Sequence, residues 1–200
     1  MSTVVGTGGY QENAAVLADQ YESITFEQVH RDVLHLVPAQ PCRVLDVGAG
    51  SGRDAAALAK RGHHVTAVEP TEALRSFGQA LHADLPIEWV DDALPELGIV
   101  RRGGEHFDLV LLSAVWMHLD AAERDQAMAQ VASVLSPGGK MILSLRHGPV
   151  PDGRRMFDVS AQETSELGQR HGLNEIYRCQ REDMLGRDDV RWSFLCLQQP

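Results

Sequence analysis

A chain of 200 residues, 44% of them hydrophobic, has the size of one globular domain that buries a sheet between two helical layers, and it leaves no room for a second full domain. Its formal net charge is −10, with 9 Lys+Arg against 19 Asp+Glu in residues 1–139 and 9 against 9 in residues 140–200. An acidic body of this kind repels a polyphosphate backbone and argues against extended duplex binding, while leaving room for a local basic mouth around Arg146, Arg154 and Arg155.

In chain order, residues 13–21 and 26–36 read as two short helices able to lie over a cleft. Apolar runs bounded by turn residues predict strands at Arg43–Val47, His64–Val68, Ile87–Val90, 107–113 and 141–145. Helical segments at 53–61, 71–82 and 121–135 fall between them. The last opens after Asp120, a good N-cap, and is stopped by the turn Ser136-Pro137-Gly138-Gly139. Strands alternating with helices imply parallel pairing through crossovers, an α/β fold. The tail differs. Residues 160–171 read as a helix stopped by Gly172, and 173–179 and 190–197 as strands joined by the polar loop 182–189, an antiparallel hairpin.

No apolar run approaches the ~20 residues of a membrane helix, and the first residues lack the basic start and apolar core of a secretion signal. A soluble, cytoplasmic protein is the expectation. Cys42, Cys179 and Cys196 stand far apart without a C-x-x-C pair, so they read as packed thiols, and no metal site is expected.

The chemistry concentrates at residues 44–52, Val-Leu-Asp-Val-Gly-Ala-Gly-Ser-Gly, where an apolar strand runs into a turn with Gly48, Gly50 and Gly52. Glycine permits positive φ there and lets a ligand lie against the main chain. Glu69 follows 21 positions after Gly48, at the end of the second strand. In an open α/β sheet, ligands bind beyond the carboxyl ends of the strands, which here are 46–52, Glu69-Pro70, Asp91-Asp92-Ala93 and Ser113-Ala114-Val115-Trp116. Glu69 suits the two hydroxyls of a ribose and would repel a 2′-phosphate. Asp92 suits the exocyclic amine of adenine. The ligand therefore reads as an adenosine. A dinucleotide turn, G-x-G-x-x-G, needs glycine where Arg53 stands, and no Tyr-x-x-x-Lys pair is present.

These segments resemble the class I S-adenosylmethionine-dependent methyltransferases over residues 43–146. D-V-G-A-G-S-G at 46–52 is similar to their first motif, V-E-P at 68–70 to their second-strand acid and D-D-A at 91–93 to their adenine-side motif. F-D-L-V-L-L-S at 107–113 and L-S-P-G-G at 135–139 match the fourth strand and the turn before the fifth. The resemblance implies a Rossmann-like doubly wound sheet of seven strands, mostly parallel with the last antiparallel. It also implies one methyltransferase domain over 1–200: cap helices in 1–38, a cofactor core in 39–146, and a helix and hairpin in 147–200. S-adenosylmethionine would be the cofactor and S-adenosylhomocysteine the product. Asp46 and the backbone of Gly48, Ala49, Gly50 and Gly52 would cradle its methionine and ribose. Glu69 would hold the ribose, Asp92 and the Ala93 amide the adenine, and Ser113 the amino-acid end. Pro70 and Trp116 would be apolar walls. Arg53 would meet the cofactor carboxylate or stand in solvent.

The implied reaction transfers a methyl group in line to a small-molecule acceptor, so the protein has to align a nucleophile and exclude water. A base is optional. His118 in W-M-H-L and His147 in R-H-G-P are its candidates, each also readable as a hydrogen-bonded loop residue. His30, His35, His63 and His64 read as packing or surface residues. Tyr21 and Glu22 either close over the methyl group or staple a lid. Arg146, Arg154 and Arg155 either bind an anionic substrate or form a solvated loop. The fourth strand lacks the Asn/Asp-Pro-Pro-aromatic run of amide and adenine methylators and any magnesium-type acid cluster, which leaves a small-molecule acceptor. A non-catalytic adenosylmethionine-binding subunit and a nicotinamide-dependent oxidoreductase are the alternatives. Oligomeric state cannot be read.

Overall fold

The computed structural model describes residues 10–151 and 153–200; residues 1–9, the head of the expected cap segment, and Asp152 lie outside the described residues. Seven strands form one sheet: β1 Arg43–Val47, β2 His64–Val68, β3 Ile87–Val90, β4 Phe107–Leu112, β5 Leu135–His147, β6 Asn174–Glu182 and β7 Arg191–Gln198. Their order is β3-β2-β1-β4-β5-β7-β6. The first five pair in parallel, and β7 inserts antiparallel between β5 and β6. The tail hairpin expected from the short polar loop is therefore present, folded back so that its second strand meets the core.

The helices are α1 Ala14–Glu22, α2 Phe26–Val29, α3 Arg53–Lys60, α4 Glu72–Leu81, α5 Gly98–Gly103, α6 Ala121–Val134 and α7 Ala161–Arg170. Alternate residues of the central strands feed two cores, because successive strand side chains point to opposite faces. Leu45, Val110, Leu112, Leu143 and Leu195 pack with Met128 and Val131 of α6 and Leu167 of α7. Val44, Leu109, Leu111, Ile142 and Phe194 pack on the other face with Ala55 and Leu58 of α3 and Phe26 of α2. Burying residues such as Leu45 and Leu109 fully contributes roughly 1.5–3 kcal/mol each. A third, small cluster joins Ala14 and Ala18 of α1 to Leu74 of α4 and so seats α1 on the body.

Two segments depart from expectation. Residues 26–36 do not form one helix. Thr25 and Gln28 open α2 with a reciprocal capping box, but the chain leaves the helix at His30, whose ring is drawn into a buried bond with Asp54, and a 3₁₀ turn follows at Leu34–Leu36. The stretch 136–139 is a bulge within β5 rather than a turn before it: Phe107 pairs with Leu135 while Leu109 pairs with Lys140. Gly139 fits there because a Cβ would lie 2.8 Å and 2.9 Å from the carbonyl oxygens of Ser136 and Phe107. The connection from β3 to β4 holds α5, in line with the expected alternation of strands and helices.

Among the described residues no helix is long and apolar enough to cross a membrane, and no group of three His, Cys, Asp or Glu could hold a metal ion. The three cysteines are free. Cys196 is buried, and Cys42 lies 3.3 Å from His63 Nδ1.

Candidate functional site

The carboxyl ends of β1 and β4, where strand order reverses, open into a cavity of about 500 Å³. At one end its lining is acidic: Asp46 from β1, Asp54 from α3 and Glu69 from the end of β2. At the other, toward β5–β7, Arg146, Arg181 and Arg187 outnumber Asp183.

The acidic end is tied together by hydrogen bonds. Glu69 is buried, and its Oε2 accepts from Gly50 N (2.9 Å) and its Oε1 from Thr71 N (2.8 Å). Burial raises its pKa despite these bonds. A carboxylate has about four acceptor sites, so about two remain toward the cavity. Asp54 accepts from Ser113 Oγ (2.7 Å) and from Arg53 Nε (2.7 Å), and its Oδ2 lies 2.7 Å from His30 Nε2. Burial opposes its ionisation, but His30 and Arg53 overcome this and hold its carboxyl well below the ordinary range. Beside it, Asp46 is pushed well above that range by burial and then by the Asp54 charge. Asp46 Oδ2 is buried with no hydrogen-bond partner among the described residues.

The glycine turn works differently from the expectation. Its amides are already spent: Gly48 N and Ala49 N donate to Val68 O (2.8 and 2.9 Å), Gly50 N to Glu69 and Gly52 N to Ala49 O (2.9 Å). Its glycines supply close approach instead. At Gly48, φ is +72° and a Cβ would run into Val115 Cγ2, and at Gly52, φ is +87° and a Cβ would lie 2.7 Å from the Trp89 ring. Gly48, Ala49 and Gly50 line the cavity, as do Arg53, Pro70, Ala93 and Ser113.

Several expected contacts are corrected. Asp92 does not face an adenine with free lone pairs: Oδ1 accepts from Ala93 N and Gly98 N, Oδ2 from Ile99 N and Val100 N, and the carboxylate is consumed in starting α5. The same geometry takes the Ala93 amide. Trp116 is fully buried in the core under α6 and is no cavity wall; its neighbours Val115 and Met117 line the cavity. Glu22 turns away from the cavity to accept from Ser51 Oγ (2.6 Å), while Tyr21 stays in the lining beside Gly50. His147 points to the opposite sheet face from Arg146, where its Nε2 lies 2.8 Å from Ser193 Oγ, and it does not line the cavity. Arg155 leaves the basic mouth to pair with Asp120 and Glu123 at the start of α6. Arg53, expected at a ligand carboxylate or in solvent, is committed mainly to Asp54, with Nη1 reaching Tyr21 O.

His118 lies in the lining, and burial lowers its pKa. Its Nδ1 lies 2.7 Å from Arg155 O, and since a carbonyl can only accept, Nδ1 carries the proton in the neutral ring. Nε2, with its lone pair, is then left to accept from Tyr10 Oη at 3.2 Å. The guanidinium of Arg154 stacks 3.6 Å from the Tyr10 ring centroid, so three distant segments meet over the cavity.

Residues that sequence reasoning missed include Tyr10, His30, Asp54, Arg181, Arg187 and Trp192. For Arg181 and Trp192 the period-2 pattern of the tail strands could have found their shared face. Tyr10 and His30 carry no local signal, since their partners are far away in the chain.

Residues 44–139 match the model of a methyltransferase domain family. An uncharacterized methyltransferase of Mycobacterium tuberculosis is 31% identical over 128 residues, 60% of this chain and 62% of that protein. A demethylmenaquinone methyltransferase of Clavibacter sepedonicus is 30% identical over 126 residues, 62% of this chain and 49% of that protein. The matches thus span less than two thirds of these relatives' length. Among solved structures, a 1,6-didemethyltoxoflavin-N1-methyltransferase of Burkholderia thailandensis, crystallised with 1,6-didemethyltoxoflavin and S-adenosylhomocysteine, superposes with a TM-score of 0.70 at 23% identity. It covers 94% of this chain and 89% of its own. The match over residues 44–139 and this superposition show that the chain resembles a methyltransferase domain and shares the Rossmann-like fold of solved methyltransferases.

Proposed function

We propose that the chain is an S-adenosylmethionine-dependent methyltransferase acting on a small-molecule acceptor. The observation that carries this reading is the orphaned, buried Asp46 Oδ2 in a cavity end that also holds Asp54 and Glu69. A cationic, hydroxyl-bearing ligand fits that donor set: an α-ammonium would satisfy Asp46, and two ribose hydroxyls would use the lone pairs that Gly50 and Thr71 leave on Glu69. Close approach to the Gly48–Gly50 backbone and apolar walls from Pro70 and Leu94 complete the fit.

When bound, the cofactor supplies a methyl group already activated on a positively charged sulfur. The chain's own work is then alignment and exclusion of water. Tyr21 and Leu17 of α1 cover the cavity, and the Thr25–Gln28 capping box holds the chain that follows them. Once Tyr10 Oη gives up its hydrogen bond, His118 Nε2 would accept the proton that a hydroxyl or ammonium acceptor loses as its bond to the methyl carbon forms. Burial keeps that imidazole neutral to lower pH than usual, the form a base needs. Relatives named for a menaquinone precursor and a toxoflavin precursor support a small-molecule acceptor.

Thermal melting separates this reading from its rivals. S-adenosylmethionine and S-adenosylhomocysteine should raise the melting temperature by mass action, and NAD should not. A rise with NAD alone would overturn the proposal. Binding without methyl transfer to any compound of a labelled-metabolite screen would favour a non-catalytic subunit.

A further inference from the structure

The far end of the cavity carries a charge pattern opposite to that of the protein as a whole, and two of its arginines, Arg146 and Arg181, each have a buried Nε without a partner among the described residues. Across β5, β7 and β6, Arg146 pairs with Trp192 and Trp192 with Arg181. Laterally paired residues share a sheet face, so an Arg–Trp–Arg row stands on one face, and all three side chains line the cavity. The next row on that face presents Phe194, with Arg181 stacked 4.5 Å from its ring centroid.

The arginines differ in how they are matched. Arg187 is bound by Asp183 through Nε (2.9 Å) and Nη2 (2.7 Å). Arg181 meets Asp32 and the carbonyls of Gln28 and Val29. Among the described residues Arg146 has no carboxylate within ion-pair distance, although Asp183 and Asp189 act on it from farther off. Its Nη1 donates to Pro149 O (2.7 Å), and its Nε is buried without a partner among the described residues. Burial and then the neighbouring Arg187 push its guanidinium below the usual range, against the opposing pull of Asp183 and Asp189.

Building on the methyltransferase reading, we propose that the acceptor is a flat, anionic molecule, with a carboxylate or phosphate held by Arg146 and an aromatic body against Trp192. Planar guanidinium suits both oxyanions by forked hydrogen bonds, and Trp192 gives a stacking surface beside it. The division of charge fits the two reactants: the acidic end receives a cation and the basic end an anion, which orients an otherwise promiscuous apolar pocket. Apolar Met156 and Leu185 contribute to the same lining without competing for the charge.

The test is calorimetric titration of the full chain with benzoate, phenyl phosphate and the neutral benzamide, each with and without saturating S-adenosylhomocysteine. Benzoate or phenyl phosphate should bind and benzamide should not, with affinity falling as salt rises. R146Q should weaken the anions by about tenfold or more, the loss of a charge-assisted hydrogen bond, while R146K should retain the preference for anion over amide. Affinity for S-adenosylhomocysteine should be unchanged in both variants. Equal binding of benzamide and benzoate, parent-like anion binding by R146Q, or no anion response at millimolar concentration would each overturn the proposal. An Arg146-dependent anion response in a chain that gives no heat with S-adenosylhomocysteine would uphold the anion site and sink the methyl-transfer reading instead.

Discussion

The two ends of the cavity are built on different principles. At the acidic end, consecutive pieces of β1, α3 and β2 supply carboxylates whose partners are close in the fold and largely fixed: Asp54 is held by Arg53, His30 and Ser113, and Glu69 by Gly50 and Thr71. At the basic end, side chains come from the end of β5 and from the β6–β7 hairpin, and buried donors on Arg146 and Arg181 are left without partners among the described residues. Hydrogen-bonded charges in a low-dielectric site are rigid and presented at a constant position, which suits a ligand common to a family. Unfilled donors on β5 and β6, bordered by the loop after β5, leave room for a ligand peculiar to one member.

The sharpest way to break this contrast is to dismantle the acidic end. Asp54→Ala leaves Arg53 and His30 buried without their anion, and should cost about 3–5 kcal/mol in denaturant unfolding. A loss under about 1 kcal/mol would mean the network is ornamental. His118→Asn should lower turnover by about a hundredfold or more. The parent rate should rise with pH through a pKa below the ordinary histidine value, because burial disfavours the imidazolium, and the variant should lack that limb. If rate and limb both persist, His118 is structural.

Gly48→Ala adds a Cβ that meets Val115 in a left-handed backbone, and should cost about 1–3 kcal/mol while weakening S-adenosylhomocysteine binding; melting and titration read the two effects. The mildest change is Asp92→Asn. Because both carboxylate oxygens serve the backbone of α5, it should lower stability by about 0.5–2 kcal/mol and leave S-adenosylhomocysteine affinity unaltered. Weakened binding at full stability would restore Asp92 to an adenine contact.

Strand alternation and turn glycines made the sheet legible from residues 43 to 147, and strand-end position singled out Asp46, Glu69, Ser113 and Pro70, all of which line the cavity. The same reasoning misplaced Asp92, Trp116, Glu22 and His147 relative to the cavity. Each sits next to a lining residue in sequence, and local pattern cannot tell which neighbour turns inward.

Sequence alone determined the order of strands and helices, the positive-φ turn after β1 and the acid at the end of β2, because these depend on periodicity and backbone freedom over a few residues. Only the tertiary structure decided where the hydrogen bonds went. It closed the turn's own amides onto Val68 and Glu69, and it drew His30 across to Asp54. It also set Arg146, Trp192 and Arg181 in one row from three strands. The physical reason is that burial drives most polar groups to find a partner, and in a sheet with crossovers those partners are tens of residues away.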